Sequence, residues 1–198
     1  MNQRIIFIIV KLKVHYSNEG GIIMKRKIIL NLAVSLDGYI ASEDGGYDWI
    51  VGDGDDTLNT EKKYDFQKFV EEVDTVIMGK NCYDQNMHKD YNSKKVYIAT
   101  TENIENHDNL HFISDDICKV IEEERMKEGK DIYLYGGGVV VDSFIKADII
   151  DEYIIGIIPI ILGKGRPLFL GNNPTIRLHL DEYITDNGIV ILKYSKVK

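Results

Sequence analysis

Short, continuous apolar runs recur along this chain with stretches of helical spacing between them: IILNLAV at 28–34, TVIMG at 75–79, KKVYIAT at 94–100 and DIYLY at 131–135. A run of that length without polar alternation is a strand buried on both faces. Such strands lie parallel in a sheet when helices cross between them and cover it. EKKYDFQKFVEEVD brings Tyr64, Phe66, Phe69, Val70 and Val73 near a helical period. DDICKVIEEERMKEG reads as a helix capped by Ser114 or Asp115 and ended by Gly129, and VVVDSFIKA as another. DNLHFIS adds a strand, and IDEYIIGIIPIIL a long one that Pro159 ends or bulges near an edge. Asn187-Gly188, between two alternating runs, marks a hairpin. The expected fold is α/β: a mixed central sheet, mostly parallel, with a C-terminal antiparallel hairpin and helices on both faces.

The charge balance, 24 Lys and Arg against 32 Asp and Glu, gives −8 and argues against nucleic acid or an anionic membrane as partner. It leaves room for a small anionic ligand held by local N–H groups. Cys82 and Cys118 form no CxxC and no metal spacing, and read as reduced thiols of a cytoplasmic protein. His107 and His111 lie four apart on loop and strand without a zincin glutamate, and a calcium loop beginning at Asp53 of DGDDTLNTE would have Leu58 and Tyr64 where it needs its glycine and terminal glutamate. No metal site is expected. The apolar stretch Ile5–Val10 is too short to span a bilayer. Glu19-Gly20-Gly21 can be encoded by a purine-rich ribosome-binding sequence, with Met24 at a suitable distance. Residues 1–23 are therefore expected to be a translated leader or disordered extension, and 25–198 the domain.

YLYGGGVVVDSF, Tyr133 to Phe144, sets three glycines between a strand and a helix start. Glycine permits positive φ and close approach, so the segment is either a tight turn or a cradle that aims helix N-terminal N–H groups at an anion. Val141 stands where a dinucleotide fingerprint has its third glycine, and no Gly-Lys-Ser/Thr follows. On the residues alone both readings stand. ILGKGRPLF places Lys164 and Arg166 in a glycine loop, as candidates for a substrate anion. The acidic, glycine-rich segment 42–60 is a long loop of the kind that covers sites, and is expected to act as a lid.

Taken in order, NLAVSLDGYIA, DTVIMGK, KVYIATT, IYLYGGGVVVDSF and DEYIIGIIPIILGKGRPLF resemble the dihydrofolate reductase-like superfamily. The likeness is closer to its branch containing the reductase domain of the riboflavin-biosynthesis deaminase–reductase, and runs from about Lys25 to the C-terminus. The resemblance implies a reductase with NADPH as hydride donor and a small-molecule substrate, and a homodimer. It places Gly136, Gly137 and Gly138 at the pyrophosphate, with N–H groups from Val139 and Val140. Gly79, Lys80 and Asn81 match the segment meeting the adenosine-side phosphates, and Thr100 and Thr101 the strand end beside the ribose. Ala33 and Ile40 match positions flanking the nicotinamide. Ser35, Asp37, Lys164 and Arg166 fall on the substrate side, and Asp37, Glu61 and Asp65 are the candidate acids. Where dihydrofolate reductases hold an arginine and a threonine for the folate, this chain has Ser93 and Ile155, which disfavours folate. The asparagine-proline segment and basic motif that the riboflavin branch uses around the ribose phosphate are missing from Asn81 to Tyr91, and no deaminase signature is present. The expected activity is reduction of a ribosylaminopyrimidine such as 5-amino-6-(5-phosphoribosylamino)uracil. The alternatives are a non-catalytic nucleotide-binding protein on the same scaffold and, less well matched, a dihydrofolate reductase. Intact mass of the protein from its native host checks the leader: a chain beginning at Met24 is expected, and one beginning at Met1 contradicts it.

Overall fold

A computed structural model describes residues 25–197 and the backbone pairing of β1 (His15–Tyr16) with β2 (Ile22–Ile23). Apart from that pairing, the leader expected over residues 1–23 lies outside the described residues. The strands that follow are β3 (Ile28–Ser35), β4 (Tyr39–Ala41), β5 (Val73–Gly79), β6 (Lys95–Ala99), β7 (Leu110–Ile113), β8 (Asp131–Gly136), β9 (Glu152–Ile158), β10 (Arg166–Pro167), β11 (Leu178–Asp186) and β12 (Ile189–Lys196). The helices are α1 (Phe66–Glu71), α2 (Lys80–Asp84), α3 (Ile117–Glu124) and α4 (Gly138–Lys146), with a 3₁₀ turn at Met87–Tyr91. Eight strands form one sheet in the order β11-β12-β9-β3-β8-β5-β6-β7. The six from β9 to β7 are parallel, and β12 runs antiparallel between β9 and β11. Asn187 and Gly188 both take positive φ, 49° and 80°, the turn that matches strand twist in a two-residue hairpin.

The apolar runs are buried on both faces, with side chains alternating between two cores. Ile28, Leu30, Ile77, Ile132 and Leu134 pack with Ile117 and Ile121 of α3 and with Val141 and Phe144 of α4. Ile29, Val76, Met78, Ile98 and Tyr133 face the other way, against Phe69 of α1 and Cys82 and Tyr83 of α2. Helices therefore cover both faces. Two elements are shorter than their periodicity predicts. α1 stops at Glu71 because Val73 already belongs to β5. α3 is capped by Asp116, whose carboxylate accepts from the Lys119 N–H at 3.1 Å, and not by Ser114 or Asp115. It ends at Glu124 because Glu124 and Arg125 turn inward into a buried ion network.

That network fastens the amino ends of the strands. Arg26 and Arg125 are both at least 95% buried, at 5% and 2% exposure. Arg26 pairs with Asp74 and donates to Thr75 Oγ1 at 2.7 Å. Arg125 pairs with Asp151 and donates to the Arg26 carbonyl at 3.0 Å. Glu124 receives Lys95 at 2.8 Å and Lys127 at 2.6 Å. Burial alone would raise the Glu124 carboxyl, but hydrogen bonds from Lys127 and Lys95 outweigh it and hold its pKa at about 2.

The carboxyl ends are arranged differently. β5 leads through α2 to β6 on one face, whereas β8 leads through α4 to β9 on the other. β5 and β8 are neighbours, so their connections part in opposite directions and leave a crevice beyond their ends. Among the described residues no helix is long and apolar enough to cross a membrane.

Glu124→Gln is expected to cost about 1–3 kcal/mol at neutral pH in urea melts, because it leaves buried Arg26 underpaired. With a folded pKa below the ordinary 4.5, the carboxylate's contribution is present above that pH and is lost as pH falls toward about 2. The gap from wild type should therefore narrow below pH 4.5, and a constant gap would contradict this assignment.

Candidate functional site

The crevice opens into a cleft of about 950 Å³ across the carboxyl ends of β6, β5, β8, β3 and β9. Four inter-strand spacings make its floor roughly 19 Å long. All twelve residues that the resemblance assigns to the cofactor line it. Thr100 and Thr101 stand at the β6 end, and Gly79, Lys80 and Asn81 at the end of β5. Gly136, Gly137, Gly138, Val139 and Val140 form the centre, with Ala33 and Ile40 toward the β3 side.

Each glycine of the central turn has its own reason. Gly136 takes φ 126°, a conformation that side chains resist. At Gly138 a Cβ would stand 2.5 Å from the Pro167 carbonyl oxygen, so backbone packing requires the missing side chain. At Gly137 a Cβ would meet nothing within 4 Å. Packing does not explain this glycine; it lies open on the cleft wall as the N-cap of α4, without a side-chain cap. The first N–H groups of α4 thus have no side-chain acceptor at the cap, and the positive end of the helix dipole meets the cleft.

The remaining candidates are distributed otherwise. Arg166 lines the cleft on β10, which pairs with β4. It donates to the Glu43 carbonyl at 3.5 Å and forms no ion pair among the described residues. Lys164 does not line the cleft; it is exposed and pairs with Glu43 at 2.7 Å. Ser35 and Asp37 also lie outside the lining. The buried Ser35 hydroxyl donates to Asp37 at 2.6 Å, and Asp37 accepts the N–H groups of Leu162 and Gly163 at 3.1 and 2.7 Å. These bonds, from Ser35 first, hold the Asp37 carboxyl below its usual pKa. Asp65 caps α1 by accepting the Lys68 N–H at 2.9 Å, and Glu61 is exposed; neither lines the cleft. Val141, which stands where a dinucleotide fingerprint has its third glycine, is fully buried in the core. The 42–60 loop contributes Gly45, Tyr47 and Ile50 to the lining, and none of its acids. Its distal half is fastened to the hairpin turn: Asp53 N–H donates to the Asn187 carbonyl at 3.0 Å and Asn187 N–H to Asn59 Oδ1 at 2.7 Å.

The β3 end also holds residues that motif reading did not single out. Asn31 Nδ2 donates to the Tyr64 hydroxyl at 2.5 Å, and the Tyr133 hydroxyl donates to the Asn31 carbonyl at 2.9 Å. Burial raises the Tyr64 pKa to about 12, so the phenol keeps its proton at neutral pH. The signal for this group was Asn31 itself, a polar residue inside a buried strand that must find partners. Cys82 lines the cleft too, and burial pushes its thiol up, away from reactivity. Among the described residues, no Asp, Glu or His lines the cleft.

A family model described as the RibD C-terminal domain matches residues 26–95 and 85–191. The chain belongs to this family. YyaP of Bacillus subtilis (strain 168), itself described as uncharacterized, is 31% identical over 186 residues, which are 86% of this chain and 95% of YyaP. A putative riboflavin biosynthesis protein from Shewanella sp. PV-4 superposes with a TM-score of 0.72 at 27% identity, covering 87% of this chain and 99% of that one. Dihydrofolate reductase from Enterococcus faecalis, solved with NADP(H), superposes at 0.57 with 14% identity over 88% and 98% of the two chains. This last likeness is one of fold: the architecture is dihydrofolate reductase-like.

The two kinds of glycine predict different outcomes. Gly138→Ala is expected to destabilise by about 1–3 kcal/mol through the clash with Pro167. Gly137→Ala is expected to change stability by less than about 0.5 kcal/mol in the absence of ligand. Thermal melts of both variants check this, and equal losses would contradict the distinction.

Proposed function

We propose that the chain is an oxidoreductase of the riboflavin-pathway type, transferring hydride from NADPH to a small heterocycle such as 5-amino-6-(5-phosphoribosylamino)uracil. Gly137 carries the reading: it is open in the cleft wall, uncapped, and needed by no neighbour. A pyrophosphate there would accept the free N–H groups of Val139 and Val140, as helix N-termini accept phosphates elsewhere. The adenosine would extend to Thr100 and Thr101, and the nicotinamide toward Ala33 and Ile40.

When bound, the reduced nicotinamide supplies the hydride, and the chain supplies position and shielding. Arg166, the unpaired cation of the lining, is suited to an anionic group of substrate or cofactor. Tyr47 and Ile50 line the loop side of the cleft and would shield a bound nicotinamide from water. Because no carboxylate or histidine lines the cleft among the described residues, the proton that follows the hydride comes from solvent or from the Tyr64 phenol. The Tyr64 oxygen already accepts from Asn31, which leaves its own proton free to be donated. The same lack of an acid favours a second reading, a protein that binds the nucleotide without turnover.

Calorimetry with NADPH, together with NADPH oxidation in the presence of 5-amino-6-(5-phosphoribosylamino)uracil, tests both. Wild type is expected to bind and oxidise NADPH, and Gly137→Asp to melt like wild type but lose binding through charge repulsion. Binding without oxidation of NADPH supports the non-catalytic reading. No binding by wild type overturns the dinucleotide site.

A further inference from the structure

Lys80 and Arg166 are the two cations lining the cleft among the described residues, and only Lys80 stands at the end of β5 facing the β6 terminus. Two carboxylates already hold it. Asp84 receives its ammonium at 2.8 and 3.0 Å, and Glu102 lies at 3.5 Å. Glu102 follows Thr100 and Thr101 off the end of β6, where its N–H donates to Thr100 Oγ1 at 3.0 Å. One cation against two anions leaves this corner with a local charge of −1. The hydrogen bond to Asp84 and the field of Glu102 raise the Lys80 pKa, so the ammonium stays charged.

Dinucleotide sites discriminate at this corner by charge. A carboxylate at the strand end accepts a ribose 2′-hydroxyl, whereas a free cation favours a 2′-phosphate. Here both elements are present, and the cation is shared. A 2′-phosphate bound near Lys80 would compete with Asp84 and Glu102 for the ammonium and sit beside their charges. A hydroxyl meets no such cost, and Glu102, one residue beyond the lining at Thr101, is a carboxylate it could approach. Asp84 is half-exposed and Glu102 is 61% exposed, so neither carboxylate is held by the core, and removing one does not disturb packing.

We propose that Glu102, assisted by Asp84, is the specificity-determining residue for the cofactor: by occupying Lys80 it suppresses preference for the 2′-phosphate, so that NADH competes with NADPH. The inference rests on the dinucleotide site proposed above. It also makes cofactor choice a property of this one corner, separable from the glycine turn that both dinucleotides share.

The experiment is calorimetric titration of NADPH and NADH, at low ionic strength, into wild type, Glu102→Gln and Lys80→Gln. Wild type is expected to bind the two with affinities within about tenfold of one another. Glu102→Gln is expected to tighten NADPH by about five- to tenfold, the effect of removing one nearby charge in a partly solvated site, and NADH by less than about twofold. Lys80→Gln is expected to weaken NADPH alone. Equal changes for both dinucleotides in Glu102→Gln, no change for NADPH, or a wild-type preference for NADPH above about a hundredfold would overturn the inference. If neither dinucleotide binds wild type, the dinucleotide reading fails and this inference with it. If both bind and the variants leave their ratio unchanged, the inference alone fails.

Discussion

The divergence of β5 and β8 is the constraint on which the rest depends. Neighbouring parallel strands whose connections go to opposite faces cannot close the space beyond their ends, because right-handed crossovers carry the chain away on both sides. Gly79 and Gly136 end these two strands, and a Cβ at Gly79 would stand 3.2 Å from Val140 and 3.9 Å from the Gly136 carbonyl oxygen. The strand ends are thus packed closely while the crevice above them stays open. Everything assigned to the cofactor lies along that crevice, and the buried ion network of Arg26, Arg125 and Glu124 fastens the opposite end of the sheet. The ion network and the cleft occupy different ends of the same strands.

Within the crevice, the three consecutive glycines do different jobs. Gly136 answers to backbone conformation and Gly138 to the approach of Pro167, whereas a Cβ at Gly137 would meet no neighbour. Two of the three would be required even in a plain structural turn. The argument for a ligand narrows to one residue and to the uncapped first turn of α4 behind it. Asn31 and Tyr64 give the β3 end a polar corner without an acid, which suits hydride transfer, where orientation and exclusion of water matter more than a strong general acid.

Much of this was legible in the sequence. The continuous apolar runs specified buried parallel strands, Asn187-Gly188 specified the hairpin, and the twelve residues that the ordered motifs assign to a cofactor all line one cleft. The places where reading fell short share a cause, contacts between residues distant in the chain. The ends of α1 and α3 are set by the start of β5 and by the Arg26 and Arg125 network, neither of which leaves a local signal. Asp37 sits in a motif that invites a catalytic assignment, yet its carboxylate is engaged by Ser35 and by N–H groups more than a hundred residues later. The partnership of Lys80 with Glu102 joins two strand ends and could be seen only once β5 and β6 were side by side. Segment 42–60 reads as one loop, but only its first half reaches the cleft, since the second half is bonded to the hairpin turn.

The most direct measurement of the central claim is amide hydrogen exchange with and without NADPH. The account predicts slowed exchange at Gly137, Gly138, Val139 and Val140, with weaker protection at Gly79 to Asn81, and little change in the distal loop already bonded to the hairpin. Protection elsewhere, with the α4 N-terminal amides exchanging as fast as before, would contradict the placement of the pyrophosphate at the glycine turn.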